Sequence, residues 1–395
     1  MVDQREPKSI LVFGSFRVRH FGALYEIELE KFEKLEENEG RDEYTLPLLD
    51  RLLECFDKKW EIPKFCIFHG AKLGSKVYII LNKINAPHMP PFRPPDAFFF
   101  NTNDLESNVQ RFSPPKSPKT WGAVISAYGK LYNLQDSPCY PYIHNPSFER
   151  YDPTHDSWET LPPYPGYSYE HYRTQITGHA VLYGYILVSL MSKKGCLMAA
   201  FHIATKTWHQ VKVSESMKEI CDGFWGRAIV LDNTIYALSS DLFEVLVFSF
   251  GWEPSDEDDF GRSHYQSPIV CLFLDPLTLA RVPIPFDSVR TQNLVHLRQR
   301  DFCLLQTGRN EYVGDYQFLL VTTFRIVGEG EELSIETLKS RVFRLSLDIE
   351  RDFDLDFCFT RDCEDIEPEE KEECKLLYAS CSAAQPALNE SETPA

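Results

Sequence analysis

The chain has 395 residues, 43% of them hydrophobic and 13% aromatic, which is enough apolar material for a sizeable core. A net charge of −18 excludes the basic footprint that nucleic acid requires. The charge is concentrated, with −6 from Glu26 to Glu43, −5 from Gly251 to Phe260 and −6 from Arg361 to Cys374, so the rest is close to neutral.

Eleven cysteines occur, none in a Cys-x-x-Cys, and most lie in apolar runs such as Cys271 in IVCLFL and Cys303 in DFCLLQ. They read as small buried hydrophobes of a reducing compartment, so cytoplasm or nucleus is expected. The opening MVDQREPKS is charged with no apolar segment behind it, and no run of 18 apolar residues follows anywhere. Neither a secretory leader nor a membrane span is expected.

In chain order, Ile10–Leu35 reads as a strand pair too short to make a repeat unit of its own. Tyr44–Trp60 (YTLPLLDRLLECFDKKW) places Leu46, Leu49, Leu53 and Phe56 on one helical face, which predicts a helical insertion at about 44–59. Lys76–Asn82 is strand-like. Ala97–Pro114 (AFFFNTNDLESNVQRFSP) reads as a hairpin turning at Asn101–Asp104. Pro-rich stretches run over 87–95 and 113–119, and in the second Ser113 and Ser117 each precede proline. WGAVISAYGKLYNLQ from Trp121 reads as two strands about a Gly turn. Phe148–Pro165 (FERYDPTHDSWETLPPYP) gives the sharpest signal. A strand ends at Tyr151, Asp152-Pro153 sets a turn, Trp158 restarts the chain and Leu161-Pro162-Pro163 stops it.

The design then recurs. GHAVLYGYILVSL from Gly178 precedes AFHIATKTWHQVKV at Ala200–Val213, where Trp208 lies 50 residues after Trp158. GRAIVLDNTIYALSS from Gly226 precedes VCLFLDPLTLARVPIPF at Val270–Phe286, in which Asp275-Pro276 repeats the Asp152-Pro153 turn. The extra length before that hairpin holds the acid-rich stretch, read as a loop insertion at about 251–267. A weaker unit covers 294–350. A C-terminal strand, 341–347 or 353–359, is expected to complete the N-terminal pair. The tail, 361–395, is acidic and reads as disordered.

Four strands in about 50 residues, repeated, indicate an all-β propeller of four-stranded antiparallel blades, six in number or alternatively five. Tyr151-Asp152-Pro153-Thr154 with Trp158, Leu161 and Pro162 resembles the outer strands of a kelch repeat. Ala123–Tyr132 looks like the strand pair before them. The chain resembles plant kelch proteins of the kind joined to F-box domains, although the kelch Gly-Gly doublet is absent and no F-box is recognisable. The resemblance implies a propeller over 1–360, with Tyr151, Asp152, Trp158, Trp208 and Asp275 as repeat anchors. It also implies a non-catalytic protein-interaction scaffold in the cytoplasm or nucleus, one form of which is substrate recognition for a ubiquitin ligase.

Loops at one face of a propeller are its usual binding surface, and tyrosine suits such contacts. Tyr140, Tyr142, Tyr164, Tyr167, Tyr169 and Tyr172 are therefore the candidate partner-binding residues. Packing on one another at the rim is the equal alternative. No Gly-x-Ser-x-Gly, P-loop or Gly-x-Gly-x-x-Gly occurs, and the histidines fall into no zinc spacing. No enzyme, cofactor or metal is expected, and the partner is another protein rather than nucleic acid or membrane. A propeller enzyme or small-ligand binder using the channel mouth is the alternative.

Overall fold

Apolar runs rich in Val, Ile, Leu and Phe, each stopped by a Gly, Pro or Asp turn, become antiparallel strands. The computed structural model describes residues 9–16, 21–34, 44–45, 66–83, 95–104, 109–119, 122–136, 146–164, 174–192, 195–213, 223–231, 234–239, 244–252, 268–272, 277–279, 288–309, 317–329, 332–345 and 353–361. Strands β1 (Ser9–Phe16) and β2 (Phe21–Glu28) lead into a short helix α1 (Leu29–Lys34) and then β3 (Tyr44–Thr45). One sheet follows from β4 (Cys66–Leu73), β5 (Lys76–Lys83), β6 (Asp96–Asn101) and β7 (Gln110–Arg111). The next contains β8 (Gly122–Ala127), β9 (Lys130–Gln135), β10 (Phe148–Asp152) and β11 (Ser157–Thr160).

A ten-stranded sheet holds two runs joined by a two-residue parallel pairing, Gly178 with Gly226 and His179 with Arg227. Its first run is β12 (Gln175–Leu182), β13 (Tyr185–Ser192), β14 (Gly195–His202) and β15 (Thr207–Gln210), followed in the chain by β16 (Lys212–Val213). Its second is β17 (Trp225–Leu231), β18 (Thr234–Leu238), β19 (Glu244–Trp252) and β20 (Pro268–Leu272), with β21 (Leu277–Thr278) also on β19. The last full sheet is β22 (Ser288–Arg298), β23 (Asp301–Arg309), β24 (Gln317–Val327) and β25 (Ser334–Leu345). Finally β26 (Phe353–Thr360) pairs with β1, giving the order β2-β1-β26.

Several expectations need adjustment. Tyr44–Thr45 is a strand, paired in parallel with Phe343–Arg344, because the edge of β25 offers it a ladder. The rest of the expected 44–59 helix lies outside the described residues. Gly251–Trp252 completes β19, and the remainder of the 251–267 insertion lies outside the described residues. The 270–286 segment is not a simple hairpin, since β20 and β21 both pair with β19. Residue 361 belongs with the fold: the Arg361 amide donates to Ser9 O at 3.0 Å and its guanidinium bonds Glu26 at 2.8 Å. The rest of the tail lies outside the described residues.

Every sheet's second strand is buried on both faces, so successive residues along it serve different neighbours. In β5, Val77, Ile79 and Leu81 pack with Leu11, Phe13 and Phe357, whereas Tyr78 and Ile80 pack with Leu131 and Tyr151. In β9, Leu131 faces that way while Tyr132 and Leu134 meet Ile186, Val188 and Phe201. In β13, Leu187 turns instead to Ile235, Ala237 and Phe248. In β18, Tyr236 and Leu238 meet Phe302, Leu304 and Phe324. In β23, Cys303 and Leu305 meet Ile10, Val12 and Tyr25.

The repeat is visible bond by bond. Phe112 N donates to Ala97 O, Leu161 N to Phe148 O and Val211 N to Met198 O, at 2.9–3.2 Å. Tyr128-Gly129 and Tyr183-Gly184 make matching turns with positive φ at all four residues, and the Tyr128 hydroxyl receives a bond from Gly184 N at 2.7 Å. The glycine in each supplies a φ that side chains resist. Trp158 Nε1 donates to Ser113 O at 2.6 Å and Trp208 Nε1 to Pro162 O at 2.9 Å. Each indole thus ties its own sheet to the chain leaving the preceding sheet.

Candidate interaction face and its buried anchor

Antiparallel geometry divides the fold into two ends. In the β8–β11 sheet, the Tyr128-Gly129 turn and the 153–156 turn share one end. The β9–β10 connection, 137–145, and the β11–β12 connection, 165–173, therefore leave at the other. These two stretches carry Tyr140, Tyr142, Tyr167, Tyr169 and Tyr172 and lie outside the described residues, but their roots are described. Ile176 N donates to Asp136 Oδ1, which places the start of the first stretch beside the end of the second.

Beneath the return of the first stretch lies a buried ion pair. Lys119 Nζ and Glu149 Oε2 are 2.6 Å apart, with side chains 1% and 0% exposed. The ammonium also donates to Pro146 O at 2.9 Å and Ser117 Oγ at 3.0 Å, with Ser117 O further off at 3.5 Å, so each of its three protons has an acceptor. Glu149 Oε1 accepts from Lys116 N at 2.9 Å, and Ser117 Oγ donates to Pro146 O at 2.7 Å. Lys119 N donates to Asn82 Oδ1 at 2.9 Å, which binds the pair to the neighbouring sheet. Burial pulls the Lys119 pKa down, and the Glu149 charge opposes that fall.

Strand parity explains why polar groups gather here. Asn133 and Gln135 lie on the same face of β9 as Leu131, and Asn82 on the same face of β5 as Tyr78 and Ile80. Glu149 stands directly across from Asn133 in the ladder. The layer between these two sheets is therefore apolar towards the Tyr128 turn and polar towards the tyrosine-bearing end. Among the described residues, Asn82 Nδ2, Asn133 Nδ2 and both polar side-chain atoms of Gln135 are buried without a hydrogen-bond partner. Burial pushes the Asp136 carboxyl up to about 7, against the lowering effect of the Ile176 amide.

The anchors named from the sequence fall as follows. Tyr151 and Trp158 face each other in the β10–β11 ladder, with ring centroids 5.2 Å apart. Asp152 closes its turn on Thr154 N at 2.9 Å and pairs with Lys130 at 2.6 Å. Lys130, Thr154 and His155 together hold its carboxyl well below the usual range. Trp208 packs 5.1 Å from Phe201. Asp275 lies outside the described residues.

Tyr164 does not belong with the partner-binding candidates. It is 3% exposed and its ring lies 6.2 Å from Trp208, inside the apolar cluster between two sheets. The chain is still crossing that interface at 164, so the ring is core. Sequence reasoning missed Lys119, Glu149 and Asp136 altogether. The one available signal was a lysine and a glutamate each set in a segment otherwise apolar or proline-rich.

His202 and His209, on adjacent strands, bring their rings to 6.4 Å, with Thr205 and Thr207 between them. Burial lowers the pKa of both, that of His202 to about 4. Among the described residues no group of three His, Cys, Asp or Glu side chains is arranged to hold a metal. No helix of the described residues is long and apolar enough to cross a membrane.

Residues 96–215 match the model of a protein family of unknown function, DUF1668. That span covers the chain from β6 past β16 and includes Lys119 and Glu149 but not Asn82. No curated protein matches the chain. Among solved structures, the N-terminal domain of Nup159 aligns at 14% identity over 86% of this chain and 74% of its own, with a TM-score of 0.30. A GH43 endo-arabinanase from Bacillus licheniformis aligns at 8% identity, over 68% and 96%, with a TM-score of 0.33. An α-L-arabinofuranosidase from Clostridium thermocellum aligns at 8%, over 73% and 97%, with a TM-score of 0.32. Likenesses this remote have no bearing on function.

Proposed function

We propose that the chain is a closed six-bladed propeller serving as a non-catalytic protein-interaction scaffold. Its partner docks at the end where 137–145 and 165–173 leave. Closure is supported by the apolar clusters, which pass from sheet to sheet and return from β23 to β1. The strands β26, β4, β8, β12, β17 and β22 also touch one another in cyclic order. A ring of this kind leaves only short outer edges on its sheets, so loops are its recognition surface.

The observation that carries the binding reading is the Ile176–Asp136 bond, which joins the roots of two tyrosine-bearing segments over a rigid buried anchor. A buried, hydrogen-bonded support beneath a binding face lowers the ordering cost of binding, and tyrosine adds contact area at low entropic cost. Substrate recognition for a ubiquitin ligase is a narrower form that rests on the kelch-like resemblance alone.

The test is affinity capture with the full chain from its native extract, followed by measurement of the purified partner's affinity. A variant with Tyr140, Tyr142, Tyr167, Tyr169 and Tyr172 changed to Ser is expected to lose the partner while keeping its circular dichroism. Changing Asn103 and His155 to Ser at the opposite end is expected to leave capture intact. Equal affinity in the tyrosine variant refutes this face.

A small-ligand site in the ring's channel is the second reading, favoured by His179 standing beside Arg227 on the inner strands β12 and β17. A ligand-induced thermal shift abolished by His179→Ala supports it over docking.

A further inference from the structure

Two Ser-Pro pairs lie in the segment after β7, Ser113-Pro114 and Ser117-Pro118, each with a lysine shortly downstream (Lys116, Lys119). By sequence they are equivalent. The structure separates them. Ser117 is 5% exposed, and its hydroxyl donates to Pro146 O and accepts from Lys119 Nζ inside the anchor. Ser113 is half-buried, and its hydroxyl reaches an exposed turn, donating to Asp156 Oδ2 at 2.9 Å. Residues 112–119 belong to no strand, so a second protein can take hold of the backbone at Ser113 without opening a ladder.

We infer that Ser113 is a phosphorylation site for a proline-directed protein kinase, and that its modification detaches the 113 segment from the 153–156 turn. In the reaction the Ser113 Oγ–P bond forms as the bond from the terminal phosphorus of a nucleoside triphosphate to its bridging oxygen breaks. The nucleoside diphosphate departs and the hydroxyl proton passes to the kinase's base.

The consequence follows from what Ser113 touches. One carboxylate, Asp156, accepts from Ser113 N at 2.8 Å, Ser113 Oγ at 2.9 Å and Tyr151 OH at 2.7 Å. These donors hold the Asp156 carboxyl below its usual range. A phosphate brings roughly −1.5 to −2 charges and only acceptor oxygens. It replaces a donor to Asp156 with a like charge, and Ser113 has no cation among its described partners to compensate. Trp158 Nε1 meanwhile donates to Ser113 O, and Trp158 is 8% exposed under this cover. Detachment therefore uncovers Trp158 and loosens the joint between the β4–β7 and β8–β11 sheets.

The test uses the full chain, a purified proline-directed kinase and ATP, with peptide mass mapping and tryptophan emission. The expected result is phosphate on Ser113 and none on Ser117 in the folded protein. Emission should shift to the red, and the shift should be absent in Trp158→Phe and reduced in Asp156→Asn. Ser113→Ala should remove the phosphate mapped to the 113 peptide and the emission shift with it. Phosphate on Ser117, or incorporation only after denaturation, overturns the site assignment. Phosphate on Ser113 with unchanged emission overturns the release.

Discussion

Replacing Lys119 with Met tests the anchor directly. The substitution keeps the unbranched stem, one atom shorter, and removes the charge, leaving the Glu149 carboxylate fully buried with the Lys116 amide as its remaining described donor. Removing one partner of a buried pair costs about 3–5 kcal/mol, because the other charge stays desolvated. With an unfolding entropy of roughly 2.1 cal/mol/K per residue, a chain of 395 residues responds at roughly 0.8 kcal/mol per degree. The expected fall in Tm is therefore about 4–6 °C. The double variant Lys119→Met/Glu149→Leu removes both charges and should recover most of that loss. Thermal unfolding followed by circular dichroism reads both variants. A single variant within about 1 °C of the parent, or a double variant no better than the single, refutes the account of the anchor.

Two further outcomes are expected. The Asp136 carboxyl has its folded pKa raised to about 7, so between its ordinary value of 3.8 and 7 the folded chain holds a proton the unfolded chain has lost. Its stabilising contribution is complete below about pH 4 and fades as pH rises to 7. Asp136→Asn should then gain Tm over the parent progressively from pH 4 to pH 8, and parallel curves would rule this out. Gly122 has φ +151°, and a Cβ there would sit 2.1 Å from Leu134 O. Gly122→Ala should cost roughly 1–3 kcal/mol, read as a lowered urea midpoint, and an unmoved midpoint sinks the clash argument.

What could be read from the sequence was whatever local chemistry specifies. The backbone turns at Asp152-Pro153 and at the Tyr-Gly pairs, and the cross-strand ring contacts Tyr151–Trp158 and Phe201–Trp208, each act within a dozen residues, so the hairpins at 148–160 and 199–210 were legible. The pairing of 353–360 with the first strand was legible from the incompleteness of the N-terminal pair, although the sequence alone did not separate it from 341–347. The anchor was not legible. Lys119 and Glu149 are 30 residues apart, and Asn82 is 37 from Lys119; only the packing of two sheets brings them together. Tyr164 looked like the other tyrosines because composition does not record where a chain leaves a buried interface. The indole bonds of Trp158 and Trp208 show why those positions repeat, which their spacing alone did not.

The strand β26 lies on the free side of β1, opposite β2, and is the last strand of the described fold. During synthesis β1 emerges more than 330 residues ahead of β26, its partner on that side. Until then one side of the first sheet offers bare amides and carbonyls to any passing strand. A nascent chain stalled before residue 353 is thus open to pairing with another copy of itself. Quality control in the cell would meet this protein as a late-pairing client, whose first sheet stays exposed on one side until β26 arrives.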